Sequence, residues 1–269
     1  MVEAGRWLCA MKSTDQKRSG VEGPPRLSIV VPLYDEAENV DPLTRQVLAA
    51  VGEFAGGMEL VLVDDCSRDP TWERIQAQAA KDPRVRGVRH LRNQGQSAAL
   101  WTGFKQSVGA IIATLDGDLQ NDPGDLPLLI RELDSCDLAC GVRARRADNF
   151  TRRISSRVAR WARRVALRSS FLDTGCNLRA FRREVLETIP AFDGLHRFMP
   201  VLAQNAGARV RELPVRHHPR TAGVSKYGVW NRLGRGIRDL VMVGLFLRRQ
   251  IRVMEPGAGS ESAGCRPTR

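Results

Sequence analysis

The sequence predicts a doubly wound α/β domain built on a mainly parallel sheet. Two patterns predict it. Short unbroken apolar runs, such as LSIVV at 27–31 and LVLV at 60–63, suit strands covered on both faces. Each run is followed by an amphipathic stretch of helical period, giving a repeating β-α order. With 269 residues, 42% hydrophobic and 27% charged, the chain has material for a substantial core, and global disorder is excluded.

Taken in order, the expected strands are Leu27–Pro32, Glu59–Val63, Val85–Leu91, Ala110–Leu115, Leu138–Val142 and Val210–Val215. Pro32 is expected to stop the first strand. Helical periodicity falls on Val40–Val51, Thr71–Ala80, Ser97–Ser107 and Leu126–Leu133. In such a sheet, ligands sit at the carboxyl ends of the strands. Residues 1–25 are polar, basic and closed by Gly23-Pro24-Pro25, which reads as a disordered leader without the apolar run of a signal peptide. Residues 255–269 are rich in Gly, Ser and Pro and read as a disordered tail. The domain proper is expected over 26–227, with an amphipathic C-terminal helix over 228–254.

The net charge is +12, from 42 basic and 30 acidic residues. Five of the 42 are lysines (Lys12, Lys17, Lys81, Lys105 and Lys226), so arginine carries the excess. Guanidinium suits phosphate oxygens, and this balance favours anionic partners such as nucleotides or an acidic membrane surface. Base composition of the source genome is the competing explanation for the exposed arginines. Six scattered cysteines form no CxxC pair, which argues against a zinc site and a disulfide framework and for a reducing compartment. No stretch approaches the ~20 apolar residues that span a bilayer.

Three strand ends carry the chemistry. The first, VVPLYDEAEN, places Tyr34, Asp35, Glu36 and Glu38 at the rim, where a ring can stack on a base and carboxylates can bond its edge or the ribose. The same carboxylates also suit the first turn of the following helix. The second, VLVDDCSRDPT, ends in Asp64 and Asp65. Asp69 or Thr71 is placed to cap the next helix, and Asp65 is read as an acceptor for base N–H groups. The third, ATLDGDLQNDP, is the sharpest: Asp116 and Asp118 flank Gly117 directly after a buried strand, with Gln120 two residues on. Oxygen ligands at alternate positions can share one hard divalent cation, Mg²⁺ or Mn²⁺, together with a diphosphate.

Together the elements VPLYDEAEN, VDDCSRDPTW, RNQGQSAALWTGF, LDGDLQNDP, DTGCNLRAFRRE and GVSKY resemble the family 2 glycosyltransferases, whose fold is called GT-A. Within that family the likeness is to the branch holding dolichyl-phosphate mannose synthase and bacterial polyprenyl-phosphate glycosyltransferases. It runs from about Leu27 to Arg249. The resemblance implies that Pro32, Tyr34, Glu36 and Asp65 hold the base and ribose of a UDP- or GDP-linked sugar. It implies that Asp116, Gly117, Asp118 and Gln120 serve the metal and diphosphate, and that Arg220 and Lys226, in the loop HHPRTAGVSKYG, close over the diphosphate. Asp35 stands where the family has Asn, and Asn121-Asp122 stand where it has His-Pro.

The acceptor side is basic. Residues 143–168 hold ten arginines and one acid, Asp148. Ile154, Val158, Trp161 and Val165 recur at helical spacing, giving one apolar face on a basic helix. That pattern fits a helix on an anionic membrane surface, an ordinary helix packed on the sheet, or, least well, a nucleic-acid stripe, since one aromatic interleaves the arginines. A phosphate monoester is already an anionic nucleophile at neutral pH, its second pKa lying near ~6. Such an acceptor needs positive charge rather than a base. Arg143, Arg152, Arg153 and Arg157 are the candidates, and Arg143 matches a phosphate-contacting arginine of the family. Asp173 has three readings: a general base for a hydroxyl acceptor, an orienting group, or a turn carboxylate before Gly175. His217 and His218 are read as loop residues, and His90 and His196 have no assigned role. Leu240–Leu247 lies apolar between arginines, too short to span, and suits interfacial anchoring or docking onto an integral membrane partner.

The expectation is an inverting, metal-dependent transferase moving a sugar from a nucleoside diphosphate to a polyprenyl phosphate, peripheral on the cytosolic face of the membrane. Its rivals are a family 2 enzyme with a sugar or protein hydroxyl as acceptor, and a non-catalytic membrane-surface or nucleic-acid binding module.

Overall fold

The computed structural model describes residues 25–143, 171–219 and 238–247. The expected leader up to Pro24, the tail, the basic helix expected within 151–170, and Arg152, Arg153, Arg157, Arg220 and Lys226 lie outside the described residues.

The alternation begins β1 (Leu27–Leu33), α1 (Ala37–Val51), β2 (Met58–Asp64), α2 (Thr71–Lys81), β3 (Val85–Arg89), α3 (Gln96–Gln106) and β4 (Ile111–Thr114). It continues through a 3₁₀ turn (Pro123–Asp125), α4 (Leu126–Glu132), β5 (Leu138–Arg143), β6 (Arg179–Arg182), α5 (Val185–Thr188), α6 (Leu195–Asn205) and β7 (Val210–Val215). A further helix covers 238–247. The strands form one seven-stranded sheet in the order β3-β2-β1-β4-β6-β5-β7. All neighbours are parallel except β6, which runs antiparallel to β4 and β5. The mainly parallel, doubly wound expectation therefore holds. β6 and α6 are additions to it.

Alternation of side chains gives the sheet two buried faces. Ile29, Val31, Leu60, Leu62 and Ala113 face a core shared with Val40, Leu43, Ile75 and Leu129 from α1, α2 and α4. Val30, Val61, Val63, Ile112 and Phe181 face the other, shared with Leu100, Phe104, Phe198 and Leu202 from α3 and α6. Each Val, Leu, Ile or Phe among them contributes about 1.5–3 kcal/mol on full burial, so covering both faces explains the unbroken apolar runs.

Pro32 does not stop β1, which continues through it to Leu33 in register with Asp64 of β2. The reason lies in the ladder. Leu33 gives its carbonyl to the Asp65 N–H on the β2 side, so Pro32 faces the β4 side, where pairing has already ended at Val30–Thr114. A missing N–H costs no sheet bond there. The chain winds outward from β1 to β3, then returns to β4 on the other flank of β1. That reversal opens the crevice in which α/β sheets place ligands.

Candidate active site

The acidic pair sits at this reversal. Beyond β4 the chain passes buried Leu115 into the Asp116-Gly117-Asp118 turn, with Leu119 in the left-handed region at φ 59°. Gly117 is required by close approach: a Cβ there would lie 2.3 Å from Leu33 Cδ2 and 3.2 Å from the Pro32 carbonyl oxygen. Two amides from distant elements fix Asp116. Gln96 Nε2, at the start of α3, donates to its Oδ1 at 2.8 Å, and Asn177 Nδ2, just before β6, at 2.9 Å. Asp118 Oδ1 accepts the Gln120 N–H at 3.2 Å. Burial raises the Asp116 pKa and the neighbouring Asp118 charge adds to it, against the Asn177 hydrogen bond and the charges of Arg179 and Arg143. The two carboxylates thus share one site.

That mutual repulsion is what a divalent cation between them would relieve. Among the described residues no group of three or more His, Cys, Asp or Glu side chains is arranged to hold a metal. Two carboxylates with Gln120 nearby form an incomplete set of hard oxygen donors, suited to Mg²⁺ or Mn²⁺ whose remaining positions go to diphosphate oxygens and water.

The β1 and β2 rims are bound to each other. Asp35 takes the left-handed conformation, φ 49°, which Asn and Asp tolerate and most residues do not. The family's Asn and this chain's Asp are therefore equivalent for the backbone. Asp35 N–H donates to Ser67 Oγ, and its Oδ1 accepts Arg68 N–H. Asp69 accepts the N–H groups of Ala37 and Thr71, so it serves the starts of both α1 and α2. Glu36 Oε2 accepts Asn39 Nδ2 at 2.6 Å. Tyr34 and Glu36 are half-buried beside this rim. A cleft of about 580 Å³ opens at the start of α1, bordered by Asp35, Glu36, Asp69 and Arg74. None of Asp116, Asp118 or Gln120 lines it; the donor chemistry, rather than cavity size, identifies the site.

Asp65, expected as an acceptor for the base, is also bonded within the protein. It is buried; Oδ1 accepts Gln94 N–H at 2.9 Å and lies 2.7 Å from His90 Nδ1, while Oδ2 accepts Gly95 N–H at 2.7 Å. Its acceptors hold the 93–95 loop in front of Gln96, so Asp65 also supports the amide that holds Asp116. Gly95, at φ 89°, allows that turn.

Arg143, at the end of β5, forms a forked pair with Asp173, Nε–Oδ2 at 2.6 Å and Nη2–Oδ1 at 2.7 Å, both side chains largely buried. The acceptor arginine and the candidate base expected from the sequence are thus partners. Below the acidic turn, His218 N–H donates to the Gln120 carbonyl, and Arg216 pairs with Asp122 and Asp125, strapping the exit from β7 to this loop. The substituted Asp122 therefore has a local function. His217 and His218 lie against this turn, His217 bridging Asn121.

His196, unassigned from the sequence, joins α6 to α3. Ser97 Oγ accepts Gly194 N–H at 2.9 Å and is hydrogen-bonded to His196 Nδ1 at 2.7 Å. Burial, then the Arg197 and Arg179 charges, push the His196 pKa down to about 3 from 6.5. Between those values the unfolded chain binds a proton that the folded one refuses, so stability falls as pH drops through this window. Melting temperatures measured from pH 7.5 to 5 should decline, and His196→Gln should make the decline shallower. Parallel slopes would remove His196 from the acid limb.

A family model described as Glycosyl transferase family 2 matches residues 28–189. Dodecaprenyl-phosphate galacturonate synthase of Rhizobium johnstonii is 36% identical over 251 residues, 90% of this chain and 74% of that protein. Undecaprenyl-phosphate 4-deoxy-4-formamido-L-arabinose transferase of Pseudomonas aeruginosa is 39% identical over 203 residues, 75% of this chain and 60% of that protein. Among solved structures, glucosyl-3-phosphoglycerate synthase of Mycobacterium tuberculosis, crystallised with Mn²⁺, UDP and glucosyl-3-phosphoglycerate, superposes with a TM-score of 0.57 at 22% identity, covering 83% of this chain and 80% of that one. That likeness bears on the fold alone. An acidic pair at the switch point of a GT-A-like sheet and a family match across more than half the chain lead to one assignment: the protein belongs to glycosyltransferase family 2.

Proposed function

We propose that this glycosyltransferase moves a sugar, with inversion, from a nucleoside diphosphate to a polyprenyl phosphate at the cytosolic membrane face. The observation that carries the acceptor class is the Arg143–Asp173 fork. With both oxygens on the guanidinium, and Oδ1 also accepting Gly175 N–H at 3.2 Å, Asp173 is a poor proton acceptor for a hydroxyl. A phosphate monoester needs no such base. The names of the two relatives, both acting on polyprenyl phosphates, support the same class.

In this reading an oxygen of the lipid phosphate attacks the anomeric carbon, the bond from that carbon to the β-phosphate oxygen breaks, and the nucleoside diphosphate leaves with the electron pair. Asp116 and Asp118 would hold a divalent ion that offsets the charge developing on the leaving group. Gln96 and Asn177 keep Asp116 aimed, and the β1 rim with Tyr34 and Glu36 receives the base and ribose. Arg152, Arg153, Arg157, Arg220 and Lys226 remain proposed phosphate contacts. The test is transfer from UDP- and GDP-sugars, with Mn²⁺ or Mg²⁺, onto polyprenyl phosphate and onto free sugar acceptors. Product on the lipid phosphate alone is expected, and product on the hydroxyl acceptor alone would overturn the reading.

Membrane attachment is proposed to be peripheral. Among the described residues no helix is long and apolar enough to cross a membrane. The 238–247 helix packs Leu240, Val243 and Leu247 on the core yet leaves Val241, Met242, Leu245 and Phe246 exposed. Flotation with anionic liposomes should fall when Met242 and Phe246 are both changed to Glu, and separately when Arg153, Arg157 and Arg160 are. Unchanged flotation in both would exclude the 238–247 helix and the arginine-rich segment as anchors.

A further inference from the structure

Arg179 is only 2% exposed, although it carries a full charge. On β6 it pairs with Thr114 of β4, two residues before Asp116, while Asn177, two residues back, donates to Asp116 itself. Asn177, Arg179 and Thr114 therefore share the sheet face covered by α3 and α6. Its Nη1 donates to the His196 carbonyl at 2.6 Å and its Nη2 to the Thr174 carbonyl at 3.0 Å, while its buried Nε has no acceptor. Among the described residues it has no ion-pair partner. Two neutral carbonyls are a weak return for desolvating a guanidinium, which is costly when unpaired. A residue serving only to pin α6 to the 174 turn would not need the charge.

We propose that Arg179 is a positioning residue, a fixed cation behind the Asp116–Asp118 pair that offsets the negative charge gathered when a nucleoside diphosphate docks against two carboxylates. The inference rests on the donor site argued above. The field of Arg179 reaches Asp116, where it favours the ionised carboxylate. A cation in this place weakens the grip of the carboxylates on a lone divalent ion and strengthens the binding of the anionic diphosphate. Removing it must move the two affinities in opposite directions, whereas loss of a structural pin weakens both.

The test uses the full chain at pH 8 as wild type, Arg179→Met and Arg179→Lys, with folding checked by circular dichroism. Mn²⁺ alone is titrated by the electron paramagnetic resonance of the free ion, and UDP and GDP by calorimetry at saturating Mn²⁺. In Arg179→Met, Mn²⁺ alone should bind at least as tightly as in wild type, and the better diphosphate about tenfold more weakly, the scale of one charge acting through a protein interior. Arg179→Lys should recover the diphosphate affinity to within about threefold. Should Arg179→Met fail to fold, Arg179→Gln, which keeps an amide donor and lacks the charge, is read the same way. Parallel weakening of both ligands, or unchanged diphosphate affinity, overturns the proposal. Wild type that binds neither UDP nor GDP with Mn²⁺ overturns the donor site itself, an outcome distinct from failure of Arg179.

Discussion

Asp118→Ala is expected to lower sugar transfer by about 10²–10³-fold or more, on the scale of removing one electrostatic stabiliser of a developing charge. The fold should survive, because Asp118 is half-buried on a turn, where it accepts the N–H of its near neighbour Gln120. Asp116→Asn should be comparably damaging. It removes a charge from a carboxylate that Gln96 and Asn177 already hold in place, so the loss isolates charge from position. Measured with excess Mn²⁺, both variants should also lose metal-dependent nucleoside diphosphate binding. Transfer by Asp118→Ala at the wild-type rate, with the metal chelated, would remove the carboxylate pair from catalysis.

The acidic pair was legible in the sequence because its signal is local: a DxD directly after a buried strand needs no knowledge of the rest of the fold. The same holds for β1 to β4, whose apolar runs reflect burial on both faces. β6 was not legible. It is four residues long, starts and ends with arginine, and owes its place to pairing with β4 and β5 rather than to its own pattern. α6 was hidden by an internal Pro200 and a start at Gly194, which supplies a left-handed turn instead of a capping side chain.

The supporting shell was illegible for a related reason. Gln96 and Asn177 stand 20 and 61 residues from the carboxylate they hold, and only the topology brings them together. Asp65 shows the same limit. Its position at a strand end was legible, but its hydrogen bonds to the 94 and 95 amides, which hold the loop before Gln96, were not. Strand-end location marked the neighbourhood of the candidate site, and only the fold brought its supporting hydrogen bonds together.

The Arg143–Asp173 fork makes the second large prediction, and it separates stability from chemistry. Both side chains are about 15% exposed, at 14% and 15%, and each satisfies the other with two hydrogen bonds. Removing one partner leaves the other charged, largely buried and alone, so Asp173→Ala and Arg143→Ala should each cost about 3–5 kcal/mol. In a domain of this size that is a fall of roughly 6–20 °C in melting temperature. The double variant Arg143→Met/Asp173→Leu should recover most of it, because apolar isosteres remove both desolvation penalties. Asp173→Asn keeps one acceptor for the guanidinium and removes any base. If the acceptor is a lipid phosphate, this variant should retain transfer to within about tenfold, since the nucleophile is already ionised above its second pKa of ~6. If the acceptor is a hydroxyl, the same variant should lose about 10²–10⁴-fold with nucleoside diphosphate binding intact. Melting curves and transfer rates on one set of proteins therefore decide whether Asp173 is a partner that keeps Arg143 in place or a base that the forked geometry conceals.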